Sequence, residues 1–189
     1  MTYVLIAATV VVHALVCLLA ADFLAGLVHW AEDTWLRPGV SPLLDRLIVA
    51  PNMEHHQRPG GIRLATYWEN NWITMAIVAV PALIVAACGV TAWEPYLTLL
   101  IASQSNQIHM WGHCSNPPRP VRWLQRCGLL QPAAHHALHH KRPYGMRYCT
   151  TTVFLNPLLD GLGFWRGLER IGEMFGAHVY RATPIRGGY

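Results

Sequence analysis

The sequence predicts an all-α integral membrane protein with about three transmembrane helices and further helical segments on one membrane face. Three observations carry this expectation. Apolar residues make up 53% of the 189 positions and charged residues only 13%, with a positive mean hydropathy of +0.25, a balance unusual for a water-soluble domain. Long runs are almost free of charge. The 14 Lys and Arg are confined to the two segments that follow the first and third runs.

The first run, TYVLIAATVVVHALVCLLAA at 2–21, contains no formal charge and is long enough for a helix to cross a hydrocarbon layer about 30 Å thick. A signal peptide is the competing reading, but it requires a basic start, and no Lys or Arg precedes Arg37. A retained span over about 2–28 is therefore expected. A second uncharged run, WITMAIVAVPALIVAACGVTAW, occupies 72–93, and after the Glu94–Pro95 break a third span is expected over 96–113, apolar in its first half only. A single domain then covers 1–189, with segments 29–71 and 114–189 outside the membrane.

Positive charge sets the sidedness. Four Arg lie between Arg37 and Arg63 and ten Lys or Arg lie from Arg119 onward, while the 93–96 turn and the N-terminus have none. By the positive-inside rule both long segments are cytoplasmic, which for a bacterial chain means the cytoplasmic side of the inner membrane. This distribution accounts for the net charge of +4 without nucleic acid as a partner, and no nucleic-acid-binding motif accompanies it. The five cysteines show no CxxC spacing and are odd in number, so neither a disulfide framework nor a zinc ribbon is expected.

Nine of the eleven histidines fall on that one face. His29 ends the first span, His55 and His56 lie in the first cytoplasmic segment, His109 and His113 end the third span, and QPAAHHALHHKRP at 131–143 adds His135, His136, His139 and His140. His13 and His178 stand apart and are expected to be structural or superficial. Imidazole is the commonest protein ligand for transition metals. Residues three or four apart share a helix face, so His109 with His113, and His136 with His139 and His140, are expected to act together. The first span carries a parallel stripe of Asp22, Gly26, His29 and Asp33, and polar side chains at this depth are costly unless they face the protein interior. Asp22, Asp33, Glu69 and Gln107 are read as groups that orient imidazoles through their non-ligating nitrogen. Helix–helix hydrogen bonding is the plainer alternative for each.

Eight or nine imidazoles exceed the three or four protein ligands of one zinc ion. The residues therefore point to a dinuclear site at the border of three membrane helices, reachable by a lipid chain, and leave zinc, copper and iron open.

The succession DFLAGLVHWAEDTW (22–35), EHHQRP (54–59), NQIHMWGH (106–113), HHALHHKRP (135–143), RYCTTTVFLNPLLD (147–160) and GFWRGLER (163–170) resembles the Kua-type lipid desaturases over most of the chain. The resemblance implies a non-haem di-iron, O2-dependent membrane desaturase with two Fe ions as cofactors. Its eight-histidine pattern falls on His29, His55, His56, His109, His113, His136, His139 and His140. His135 lies outside that pattern and is assigned a supporting or incidental place. The resemblance further implies a phospholipid substrate, an ether lipid converted to the vinyl ether of a plasmalogen as by plasmanylethanolamine-type members, or an acyl chain on a phospholipid as the close variant. An external electron donor of cytochrome b5 or ferredoxin type is implied with it. The chain starts close to the motif-bearing region, without the longer N-terminal part of the animal enzymes. A zinc-dependent membrane lipid hydrolase, active without O2 or reductant, is the alternative of a different class. A metal transporter fits less well, since the histidines gather on one face instead of lining a path across the membrane.

Overall fold

The uncharged N-terminal run folds into one continuous helix, α1 (Thr2–Trp35), about 50 Å long at 1.5 Å per residue. In the computed structural model, which describes residues 1–180, every ordered element is helical. The end of the tail assigned to segment 114–189, from 181 onward, lies outside the described residues. The first turns of α1 expose apolar side chains on all sides. From Cys17 onward one face is buried, with Cys17, Ala21, Asp22, Gly26, His29, Trp30, Asp33 and Thr34 turned inward.

After Trp35 the chain turns through α2 (Pro42–Leu44) and a π-helical turn at Asp45–Val49 into α3 (Ala50–Gln57), which carries His55 and His56. A 3-10 turn at Pro59–Leu64 leads to α4 (Tyr67–Ala87). The start of α4 is written locally: the Thr66 hydroxyl accepts from the Glu69 amide, and the Glu69 carboxylate accepts from the Thr66 amide, a capping box that satisfies two otherwise orphaned donors. Glu69 is occupied in this cap and orients no imidazole. Gly89 (φ +69°) takes a left-handed conformation that lets the chain reverse, and α5 (Trp93–Ser103) returns against α4.

Among the described residues two helices, α1 and α4, are long and apolar enough to cross a membrane. The expected run 96–113 is divided. α5 ends at Gln104, whose backbone (φ −99°, ψ 6°) breaks the hydrogen-bond ladder, and α6 (Ser105–Gly112) follows. The break coincides with a polar zipper between α4 and α6. Asn70 and Asn106 each donate a side-chain amide to the other's backbone carbonyl (both 2.9 Å), and Asn71 accepts from the Gln107 amide (3.0 Å) while donating to the Gln107 side chain. Gln107 thus fixes the α4–α6 contact and touches no imidazole. At the opposite end, His13 of α1 meets Glu94 at the start of α5 (2.8 Å), a structural clip as expected for a histidine outside the cluster.

Four short helices complete the described chain: α7 (Arg119–Arg126), α8 (Ala133–His136), α9 (Leu155–Gly161) and α10 (Phe164–Met174). The largest apolar cluster packs Trp30 of α1 against Tyr148, Cys149, Leu159 and Trp165. It ties α9 and α10 to the half of α1 that carries His29.

Candidate metal centre

The eight histidines of the sequence pattern, drawn from α1, α3, α6 and the 136–140 turn, converge into two contiguous groups of donor atoms. His55, His109, His113, His136 and His140 form one, and His29, Asp33, His56 and His139 form the other, the donor atoms within each group all lying within 4.8 Å of one another. The adjacent pairs His55–His56 and His139–His140 each split, one ring to each group. On a helix or turn successive side chains diverge by about 100°, so two neighbouring histidines cannot serve one centre but readily serve two side by side. The expected sharing of one face therefore holds for His136 with His140 and not for His139, because α8 ends at His136 and the chain turns.

Two outer nitrogens are held by backbone carbonyls. Nδ1 of His29 donates to the Tyr148 carbonyl (3.0 Å) and Nδ1 of His139 to the Met146 carbonyl (2.8 Å). This places the proton on Nδ1 and leaves Nε2 of each as a lone pair aimed inward. Tyr144 (φ +57°) and Arg147 (φ +62°), on either side of Met146, adopt the left-handed region that non-glycine residues enter only when the surroundings enforce it. Arg147 is fixed there by its ion pair with Asp160 (3.0 Å).

Asp33, read from the sequence as a group that orients imidazoles, bonds one imidazole, that of His56, and also sits among the nitrogens of the others. Its Oδ1 accepts from Asn52 (2.8 Å) and His56 (2.9 Å). Its Oδ2 is approached by Nε2 of His139 (3.2 Å) and of His29 (3.5 Å), yet these three atoms are buried and make no hydrogen bond among the described residues. In the other group, Nε2 of His109 faces Nε2 of His136 at 2.7 Å, with His113 and His140 behind at 3.2 and 3.1 Å, and among the described residues both ring nitrogens of His55 lack a partner. Lone pairs directed at one another in a dry site repel unless a proton or a cation lies between them. The donor set, nitrogen with one carboxylate and no thiolate, fits iron among the metals that bind imidazole. Burial, followed by the neighbouring histidines, depresses the pKa of His136, of His55, and of His140 to about 2, so these rings are neutral and able to ligate at physiological pH.

Asp22 clamps the chain that supplies one of these carbonyls. Fully buried, it accepts the Thr151 amide (2.7 Å), the Thr152 amide (2.9 Å) and the Thr152 hydroxyl (2.7 Å). It too contacts no imidazole, contrary to expectation, and acts on backbone. His135 lies outside both groups and bonds Gln131 (3.0 Å) and Arg147 (3.2 Å). Sequence reasoning missed Asn52, Tyr148 and Met146. The latter two act through carbonyls that no side-chain pattern reports.

Beside the donor groups a cavity of about 960 Å³ runs between α1, α4 and α5, at the upper end of the size of small-molecule sites. His29, Glu32, His55, Arg58, Asn106 and His109 line its polar end, and Ile73, Ile77, Val78, Pro81 and Leu99 its apolar end.

The family described as "Lipid desaturase domain" matches residues 18–181. Plasmanylethanolamine desaturase of Myxococcus xanthus is 33% identical, the match covering 90% of this chain and 66% of that protein. Plasmanylethanolamine desaturase 1 of Mus musculus is 34% identical, covering 89% and 66%. Fatty acid desaturase 4, chloroplastic, of Arabidopsis thaliana is 28% identical, covering 80% and 48%. The chain thus spans about two thirds of the length of the first two relatives, and no solved structure matches it. A family match over nearly the whole described chain, containing both donor groups and the clamped loop, establishes that this membrane protein belongs to the lipid desaturase family.

Proposed function

We propose that this chain is an O2-dependent, non-haem di-iron desaturase that converts the 1-O-alkyl chain of an ethanolamine phospholipid into a 1-O-alk-1-enyl chain. In this reading it forms a single domain over 1–189, α5 and α6 together make the third crossing, and the site faces the cytoplasm of a bacterial inner membrane. The observation that carries the proposal is the position of two contiguous donor groups at the polar end of a cavity whose other end is apolar.

The eight histidines and Asp33 would hold the two ions: His55, His109, His113, His136 and His140 one, and His29, Asp33, His56 and His139 the other. Such a pair supplies the oxidising power, drawn from O2 and two external electrons, that removal of hydrogen from an unactivated C–H bond demands. The protein supplies position. The apolar wall from Ile73 to Leu99 takes the alkyl tail, while Arg58 at the polar end offers a cation to the phosphate. A chain held this way presents its first carbons, next to the glycerol, to the histidines. That favours oxidation beside the ether oxygen, or near the carboxyl end of an acyl chain, over attack in mid-chain. The buried carbonyls of Tyr148 and Met146 keep His29 and His139 in one tautomer, and the dry wall keeps bulk water from the reacting carbons. Electrons arrive from an external carrier of cytochrome b5 or ferredoxin type.

The test is metal analysis of detergent-purified protein, followed by lipid mass spectrometry after incubation with alkyl-ether phospholipid, O2 and reductant. The expected result is about two irons per chain and a product two mass units lighter that contains an acid-labile vinyl ether, formed only with O2 present. One zinc per chain with lipid cleavage under anaerobic conditions would replace the proposal with the hydrolase.

A further inference from the structure

The segment 153–164, VFLNPLLDGLGF, which contains α9, has an outer face made of apolar side chains. Its polar side chains turn into the protein. Asn156 is fully buried and bonds both the amide (3.0 Å) and the carbonyl (2.7 Å) of Cys149, and Asp160 pairs with Arg147. Three of its apolar side chains, Phe154 (52% exposed), Leu158 (56%) and Leu162 (72%), turn outward, while Leu159 packs into the core with Leu155 and Phe164 against it. The outer face of a helix bathed in water carries charged and amide groups instead of leucines and phenylalanine.

The place of this segment along α1 says what covers it. Asp22 grips Thr151 and Thr152, the next residues upstream. A Cβ on Gly26 would meet Cys149 Sγ at 2.6 Å, so loop and helix are in direct contact there. Phe164, at the downstream end, packs on Phe23 with ring centroids 5.6 Å apart. Phe23 precedes His29 by six residues, which at 1.5 Å per residue sets it about 9 Å deeper along α1, a helix that is long and apolar enough to cross a membrane. The segment thus dips below the level of the histidines with an uncharged outer face.

We infer that residues 153–164 form a re-entrant wedge in the leaflet next to the histidine cluster, with Phe154, Leu158 and Leu162 in contact with lipid acyl chains. This part of the 114–189 segment then belongs to the membrane and not to the aqueous phase. The inference stands on polarity and depth alone and is independent of the reaction catalysed.

The test is collision accessibility of a nitroxide attached at Leu158→Cys or Leu162→Cys. The full chain is reconstituted in phosphatidylcholine vesicles, with the accessible Cys88, Cys114 and Cys127 replaced by serine; the buried Cys17 and Cys149 remain. Val12→Cys on the exposed apolar face of α1 is the lipid standard and Arg142→Cys the aqueous one. The expected result is that both wedge positions relax with O2 at least several-fold more than with a water-soluble nickel chelate, as Val12→Cys does. Collision with the nickel chelate at the level of Arg142→Cys would overturn the inference, and so would protection from both reagents, which would mean that protein covers the face. Each position is read separately, so misfolding of one variant leaves the other decisive.

Discussion

Asp22 offers the sharpest test of how the site is held, because it touches no histidine and yet one of the two carbonyl contacts depends on it. Its carboxylate accepts three donors from Thr151 and Thr152, and the carbonyl of Tyr148, three residues upstream of Thr151, fixes His29. Asp22→Asn keeps the shape but turns one oxygen into a donor, so at least one buried amide of this pair is left without an acceptor. A buried unpaired amide costs about 1–3 kcal/mol, which for a chain of this length lowers the melting temperature by roughly 2–4 °C per kcal/mol. The loop then no longer holds the Tyr148 carbonyl firmly on Nδ1 of His29, and loss of such an outer contact typically weakens metal binding about 10–100-fold. The assay is chelator competition on the iron-loaded protein in detergent, with Asp22→Glu as a comparison and thermal unfolding of the metal-free forms measured alongside. Asp22→Asn is expected to lose one iron at a lower chelator concentration than wild type and to melt several degrees lower. Unchanged chelator resistance together with an unchanged melting temperature would refute the claim that the loop transmits the clamp to the site.

Asp33→Ala is expected to remove one iron of two and leave the five-histidine group loaded, as counted by metal analysis. His135→Ala should retain both irons and most of the turnover, since that ring bonds Gln131 and Arg147 and lies outside both donor groups; loss of either ion would bring it back among the ligands. Leu99→Trp fills the apolar end of the cavity and should shift preference toward ether lipids shortened by several carbons, read as relative turnover across a chain-length series. The metal-free protein should lose stability as pH falls from about 6.5 toward 4. His136, His55 and His140 have folded-state pKa values depressed by burial, so below the unfolded value of about 6.5 the unfolded chain binds protons that the native chain does not. A melting temperature flat across that window would count against neutral, buried rings.

Composition and run length were enough to reach an all-helical membrane protein, because the solvent requirement acts on every residue of a span. The histidine groups were legible for a related reason: ligation demands particular side chains, and helical spacing shows in the order of letters. The roles of Asp22 and Asp33 were not separable on that basis. Both are acidic, both lie on the same stripe of α1, and their difference rests on what the fold brings opposite them, backbone amides from 151–152 in one case and imidazoles from α3 and the 136–140 turn in the other. Glu69 carried a local signature, Thr66 three residues before it, that accounts for it without any reference to the site. The break at Gln104 showed in the run 96–113 only as the point where it turns polar, since it coincides with the asparagine zipper to α4 and with no glycine or proline.

One helix face organises one donor group and the loop behind it, and two split histidine pairs join that group to the other. Asp22, Gly26, His29 and Asp33 follow one another at offsets of four, three and four along α1. The first clamps the carbonyl-bearing loop, the second lets that loop approach to van der Waals contact, and the last two enter a donor group. The other group takes nothing from α1; it is joined to the first through the split pairs His55–His56 and His139–His140. Any displacement of α3 or of the 136–140 turn therefore moves a ligand of both groups together, while a displacement of α6 moves His109 and His113 of one group only. If the groups hold two ions as proposed, binding of the first would order the shared pairs and prepare the second position, so the two ions should bind with positive cooperativity. Replacing His113, which belongs to one group and has no neighbouring partner in the other, should weaken the remote ion through this route by less than replacing His56 or His139 does directly. Equal loss of both ions in His113→Ala would mean that the groups share more than these two pairs.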